Sequence, residues 1–151
     1  FLMNIKISYP ELSAERKILN LSNEKSDNRP KNILTSKELL QIQAFIKEIP
    51  VGESVVQYIL NIIKHSRPET SEVKSVRDNI LWGPSPRASL ALMTTCRAKA
   101  FLENRYSPSI FDVQSLIKPI LSHRLKLNIS AKSENINIEE ILDDVINYIK
   151  N

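Results

Sequence analysis

Glycine is nearly missing from this chain, with only Gly52 and Gly83 among 151 residues. A phosphate-cradling Walker A loop needs two glycines five positions apart, followed by Lys and Ser or Thr. No Gly-Lys pair occurs anywhere, so the chain carries no such loop of its own. The single cysteine, Cys96, excludes an intramolecular disulfide, and no signal-peptide pattern is present. That usage fits a reducing, cytoplasmic setting with Cys96 as a small buried hydrophobe. The two histidines, His65 and His123, stand far apart without Cys, Asp or Glu at ligand spacing, so they read as helix-end residues and no metal site is expected. Aromatic residues make up 6% and are not interleaved with basic ones, which argues against a stacking platform for single-stranded nucleic acid. No apolar run is long enough to span a bilayer.

What is present suits a small helical domain. Hydrophobic residues reach 42%, enough to bury a core, and the formal net charge is +4 with a pI near 9.2. The charge divides evenly, +2 for residues 1–75 and +2 for 76–151, so neither half reads as a basic tail. Locally, residues 77–126 hold eight Lys/Arg against three acids, whereas 134–144 hold five acids and no base.

The chain opens without Met on a segment, 1–8, where Met3, Ile5 and Ile7 alternate with Asn4, Lys6 and Ser8. This period of two predicts a strand, and with no other comparably clear strand to pair with, it reads as an orphan cut from a larger sheet. After Tyr9-Pro10, a helix is expected over about 11–21, with Leu12, Ile18, Leu19 and Leu21 as its apolar residues. Residues 22–32 read as a polar loop. Thr35-Ser36-Lys37-Glu38 is a capping box opening a helix to about Ile49, whose Leu39, Ile42, Phe45, Ile46 and Ile49 mark one buried face. A third helix over about 53–65 has a wide apolar stripe of Val55, Val56, Ile59, Leu60, Ile62 and Ile63. Residues 66–81 read as a long polar connection. A helix from Pro86 to about Asn104 carries a small-residue seam of Ala88, Ala91, Thr95, Ala98 and Leu102. Ser107-Pro108 or Ser109-x-x-Asp112 starts the next, with Ile110, Val113, Leu116, Ile117, Ile120 and Leu121 inward and Pro119 as a bend or break. A polar stretch, 128–137, leads to an acidic amphipathic helix over 138–149.

The stretch Trp82-Gly83-Pro84-Ser85-Pro86-Arg87-Ala88 concentrates the chemistry. Ser85 reads as an N-cap whose hydroxyl takes a first-turn amide, and Pro86 fits N1, where no N–H is needed. Ser85 lacks the following glycine of an esterase elbow, so it is not expected to be a nucleophile. Arg87 then falls at N2, where a cation meets the positive end of the helix dipole, an arrangement that makes sense if an anion such as phosphate also sits there. The alternative is an arginine lying over the seam and paired to a carboxylate.

The run Gly83-Pro84-Ser85-Pro86-Arg87-Ala88-Ser89-Leu90-Ala91-Leu92 resembles the motif that opens a C-terminal lid helix in the MoxR family of AAA+ ATPases. Four further pieces are similar in the same order: Phe1-Leu2-Met3 with Tyr9-Pro10, Tyr58-Ile59 with Arg67, Arg105 with Asp112-Val113, and Leu121-Ser122-His123-Arg124-Leu125. The resemblance covers about residues 1–127. It implies a mainly α fold, a helical lid domain preceded by one orphan β-strand of the ATPase core. The implied divisions are 1–8 for that strand and 9–127 for the lid; residues 128–151, a linker and acidic helix, lie outside the matched part and read as an interaction element or an alternative lid closure.

The resemblance also implies that Arg87 is the sensor 2 arginine, reaching the γ-phosphate of ATP bound with Mg2+ in the full-length parent. Tyr9 and Pro10 would line the nucleotide base. His123-Arg124 would hold the lid together at a helix end. The Walker A, Walker B, sensor 1 and arginine-finger elements would lie before Phe1, leaving this stretch inactive alone. Implied partners are the chain's own ATPase core, neighbouring subunits in a ring, expected to be a hexamer, and a client or a protein with a von Willebrand factor A domain. The competing reading is a non-catalytic helical module that binds DNA or protein through the basic 77–126 region.

Overall fold

The computed structural model describes residues 1–21 and 33–150. In chain order these hold α1 (Leu12–Leu21), α2 (Ser36–Glu48), α3 (Glu53–His65), α4 (Lys74–Asn79), β1 (Ile80–Trp82), α5 (Pro86–Leu102), α6 (Ile110–Leu121), a 3-10 turn (Ser122–Arg124), β2 (Lys126–Leu127), α7 (Ile129–Ser133) and α8 (Ile138–Lys150). The mainly helical class expected from the sequence is the class observed. The loop expected over 22–32 lies outside the described residues. No helix among the described residues is long and apolar enough to cross a membrane.

One buried cluster joins α3, α5, α6 and α8. Its centre is aliphatic: Ile59 and Ile62 from α3, Leu92 from α5, Ile117 and Ile120 from α6, and Leu142 from α8. Each such side chain withdrawn from water contributes about 1.5–3 kcal/mol before entropy is set against it. The expected stripes hold with local shifts. In α3, Leu60 is exposed and Val56 half-buried, and Tyr58 packs inward instead, its hydroxyl accepting from Gln114 Nε2 at 3.1 Å. In α5, Leu102 leaves the expected seam for solvent, while Leu92, Cys96 and Ala100 form a second buried stripe because α5 is flanked by α3, α2 and α6. α6 runs through Pro119 to Leu121. The acidic α8 is not peripheral: Ile141, Leu142, Val145 and Ile146 belong to the same core.

Four expectations change. Residues 1–8 form no regular strand, since no neighbouring strand among the described residues offers a ladder; the segment is attached through Asn4 N, which donates to Pro119 O at 2.7 Å. The polar connection over 66–81 contains α4 and β1. Its serines and threonines looked like loop residues but serve the end of α3: Ser66 Oγ donates to Ile62 O, Thr70 Oγ1 to Lys64 O and Ser71 Oγ to His65 O, each at 2.7 Å. Those bonds add side-chain donors to the carbonyls of the last turn, where Ile62 O and Lys64 O also accept the amides of Ser66 and Arg67. After them, Val73, Val76 and Ile80 reach the core. β1 then pairs antiparallel with β2, Ile80 opposite Leu127 and Trp82 opposite Lys126. The polar stretch over 128–137 likewise holds α7, with Asn128 as its N-cap and Ala131 fully buried.

The fourth change concerns α1 and α2. The Thr35–Glu38 capping box forms as expected. The expected buried face of α2 does not: Leu39 and Phe45 are exposed, Ile42 and Ile46 half-buried, and only Ile49, just past the helix, is buried. Phe45 meets Phe101 edge-on at 5.8 Å between ring centroids. In α1, Leu12, Ile18 and Leu19 are exposed. Periodicity specifies a face, but burial needs an opposing surface, and α5 covers only part of that of α2, leaving Leu39 and Phe45 exposed.

Candidate functional site at the start of α5

Gly83 lets the loop before α5 lie against the turn after α3. A Cβ at this position would fall 2.7 Å from Arg67 Cα and 2.8 Å from Ser66 O, distances no ordinary side chain tolerates. The glycine is therefore required by close backbone approach. Arg67, half-buried, completes the join by donating from Nε to Pro84 O at 3.0 Å. Pro84 is buried; Ser85 and Pro86 face solvent.

Ser85 occupies the N-cap with extended backbone (φ −75°, ψ 168°), and Pro86 follows in the first turn. The expected capping bond is absent: the Ser85 hydroxyl binds no first-turn amide, and Ala88 N instead donates to Ser85 O at 2.9 Å. A tight backbone turn thus replaces the side-chain cap. The Arg87 side chain is exposed and makes no hydrogen bond or ion pair with the described residues. The alternative expectation of a carboxylate partner for Arg87 is not met. Arg87 lines a shallow cleft with Leu90, Ala91 and Thr94 of α5, Phe1 and Leu2 of the entering segment, and Arg124.

Tyr9 and Pro10 are exposed and do not line this cleft. Arg124 does not serve a helix end as expected. Its Nη2 donates to Phe1 O at 2.7 Å and Leu2 O at 3.1 Å, so it holds the entering segment. Neither Arg67 nor Arg124 was assigned its contact from the sequence. The close approach of Gly83 could have suggested an opposing group, but not which one.

The start of α6 is a second, sealed helix terminus. Ser109 Oγ accepts from Asp112 N at 3.4 Å, and Asp112 Oδ2 accepts from Ser109 N at 2.7 Å, completing the expected capping box. Arg105 grips the same carboxylate with both terminal nitrogens, Nη1 to Oδ2 at 2.8 Å and Nη2 to Oδ1 at 2.7 Å. The backbone delivers Arg105 there through a left-handed Asn104 (φ 55°), with Arg105 N returning to Ala100 O at 2.8 Å. Asp112 is 2% exposed. Burial alone would raise its pKa, but the bonds from Arg105 and Ser109 outweigh burial and bring it down to about 2. The same pairing raises Arg105. Both groups remain charged at neutral pH and are committed to each other.

Other reactive side chains are quiet. Burial pushes the Cys96 thiol up, away from the reactive thiolate. No group of three His, Cys, Asp or Glu among the described residues is arranged to hold a metal.

Comparison with known proteins accords with this geometry. Residues 74–145 match the family model described as "AAA lid domain". The chain is 29% identical over 150 residues to Chaperone MoxR1 of Mycobacterium tuberculosis, covering 99% of this chain and 40% of that protein. It is 28% identical over 152 residues to the uncharacterized protein YeaC of Bacillus subtilis, covering 99% and 45%. A crystal structure of a candidate ATPase from Cytophaga hutchinsonii superposes with a TM-score of 0.91 at 27% identity, over 97% of this chain and 45% of that one. The chain thus spans less than half the length of these relatives. The matched region includes most of α8, which the resemblance read from the sequence had left outside the lid. Residues 74–145 match an AAA lid domain, and over nearly its whole length the chain is similar to a MoxR chaperone and a candidate ATPase, as a lid domain of a MoxR-type AAA+ ATPase would be.

Proposed function

We propose that this chain is the sensor 2 lid of a nucleotide-driven machine that remodels or matures a client protein complex, and that Arg87 is its contact with the nucleotide. The observation that carries this reading is the Arg87 guanidinium at N2 of α5, exposed and unpaired among the described residues. Placing a cation there against the helix dipole costs about 0.3–1 kcal/mol, which an anion bound at the same end would reverse. A γ-phosphate held by an ATPase core outside these residues, with Mg2+, fits both the charge and the backbone geometry. The substrate would be ATP, and Arg87 would stabilise negative charge on its terminal phosphoryl group. Tyr9 and Pro10, exposed at the entry to the lid, would face the base. Lid rotation would then act on the core and on neighbouring subunits of a ring, a hexamer in this reading. The client, or a partner with a von Willebrand factor A domain, would receive that motion.

The name of one relative, a chaperone, and that of another, an ATPase candidate, support the general role. The DNA-binding alternative finds less support. Within 77–126, Lys99 donates to Ser115 Oγ, Arg105 to Asp112, Lys118 to Asp143 and Arg124 to Phe1 and Leu2, while Lys126 lies over the Trp82 ring. These cations are engaged within the domain and do not form one free patch. The test is Arg87→Ala in the full-length parent: kcat for ATP should fall about 10- to 10³-fold while ADP affinity changes little. Arg87→Lys should restore only part, because a point charge lacks the planar fork. Undiminished turnover in Arg87→Ala would overturn the assignment.

A further inference from the structure

Arg124 joins two parts of the chain more than a hundred residues apart. It closes the 3-10 turn after α6, is half-buried, and donates from Nη2 to both Phe1 O and Leu2 O, while its Nε lies 3.3 Å from His123 Nε2. Close by in sequence, Asn4 N donates to Pro119 O at 2.7 Å. Three backbone groups of the entering segment are thereby fixed to the corner between α6 and the 3-10 turn, although the segment has no strand partner. Met3 packs against the core between these points.

The second observation is where this attachment lies. Phe1, Leu2 and Arg124 line the same cleft as Arg87, Leu90, Ala91 and Thr94. Two guanidinium groups bordering one cleft repel each other. The two carbonyl dipoles at Arg124 draw its charge toward the entering segment and leave Arg87 as the uncommitted cation. The entering segment thus forms one wall of the cleft at the first turns of α5.

We propose that Arg124 is a positioning residue for Arg87: by pinning the Phe1 and Leu2 carbonyls to the corner after α6 it holds the entering segment in place as a fixed wall of the cleft that Arg87 lines. This rests on the reading of Arg87 as an anion contact. The coupling is mechanical and electrostatic, and Arg124 itself touches no nucleotide.

The first experiment needs no nucleotide. In this chain, Arg124→Met keeps much of the stem and removes the donors, so amide exchange at Asn4 should speed up about tenfold or more as the segment opens locally. Arg124→Lys should retain part of the protection, and Arg87→Ala should leave Asn4 unchanged. Melting by circular dichroism separates local opening from unfolding. Unchanged Asn4 exchange in Arg124→Met overturns the clamp.

The second experiment uses the full-length parent. Arg124→Met should lower kcat about 3- to 30-fold with the KM for MgATP nearly constant, Arg124→Lys should recover part, and the double variant with Arg87→Ala should be little worse than Arg87→Ala alone. Losses that multiply in the double variant would show that Arg124 acts independently of Arg87, overturning the positioning role while leaving the nucleotide contact standing. Full turnover in Arg87→Ala would remove the nucleotide contact, and the positioning role with it, whatever Asn4 reports.

Discussion

Helices α5 and α6 both begin near a Ser-Pro pair and an arginine, yet their first turns are in opposite states. At α6 the amides, the Ser109 hydroxyl and Arg105 are bonded around the buried Asp112 carboxylate. At α5 the Ser85 hydroxyl caps nothing and Arg87 stands exposed and unpaired. A structural arginine brings its own anion, as Arg105 does in Asp112. An arginine without one, placed at the helix end that disfavours it, waits for an anion from elsewhere. The chemical difference between the two sites is therefore the presence of a carboxylate three residues after the cap.

Exchanging the two arginines' roles gives the largest expected effects. Arg105→Ala leaves the buried Asp112 without its bidentate partner and should clearly lower the denaturation midpoint of the lid, read by chemical denaturation. Arg87→Ala should leave the denaturation midpoint of this chain within error, even as turnover in the parent falls. A drop of several degrees in the melting temperature of Arg87→Ala would erase the distinction between the two termini.

Gly83→Ala probes the loop that presents the open terminus. Its Cβ would meet backbone atoms at 2.7 and 2.8 Å, so overpacking should cost about 1–3 kcal/mol. At Gly52 an added Cβ meets nothing nearer than Ser54 Oγ at 3.9 Å, and Gly52→Ala should cost well under that. Equal losses at the two glycines would contradict the close approach at Gly83.

Acid should act on the sealed terminus. Asp112 has its pKa lowered from 3.8 to about 2 on folding, so its contribution is complete above pH 4 and disappears as pH falls through about 2. The corresponding loss is on the order of 2 kcal/mol. Denaturant midpoints measured between pH 5 and 2 should show it, and Asp112→Asn should flatten that part of the profile.

The smallest effect separates the caps themselves. Ser109→Ala should cost about 1 kcal/mol because its hydroxyl and the Asp112 amide are bonded, whereas Ser85→Ala should cost a few tenths at most. A larger loss at Ser85 would mean that its hydroxyl does cap α5 in solution.

The sequence made some of this legible because the interactions are local. Capping boxes at Thr35–Glu38 and Ser109–Asp112 follow from three-residue spacing, and both form. The apolar stripes of α3, α6 and α8 follow from helical period, and most of their members are buried. Arg87 was singled out because Pro86 and Ser85 fix where its helix starts. What failed carried no repeating signal to read. The serines and threonines over 66–71 look like loop residues until the end of α3 supplies carbonyls for them. The short pairing of β1 with β2 leaves no period to detect.

Helix positions, two of their caps and the identity of the candidate arginine were determined by the sequence, since each depends on groups within one or two turns. Tertiary structure alone decided which amphipathic faces found a cover, that Arg105 and not Arg87 is neutralised, and that Arg67 and Arg124 brace the two sides of the α5 entrance. Those outcomes rest on how the chain turns and the helices pack: Arg105 reaches Asp112 across the short turn between α5 and α6, while Arg124 reaches Phe1 and Leu2 from the far end of the chain.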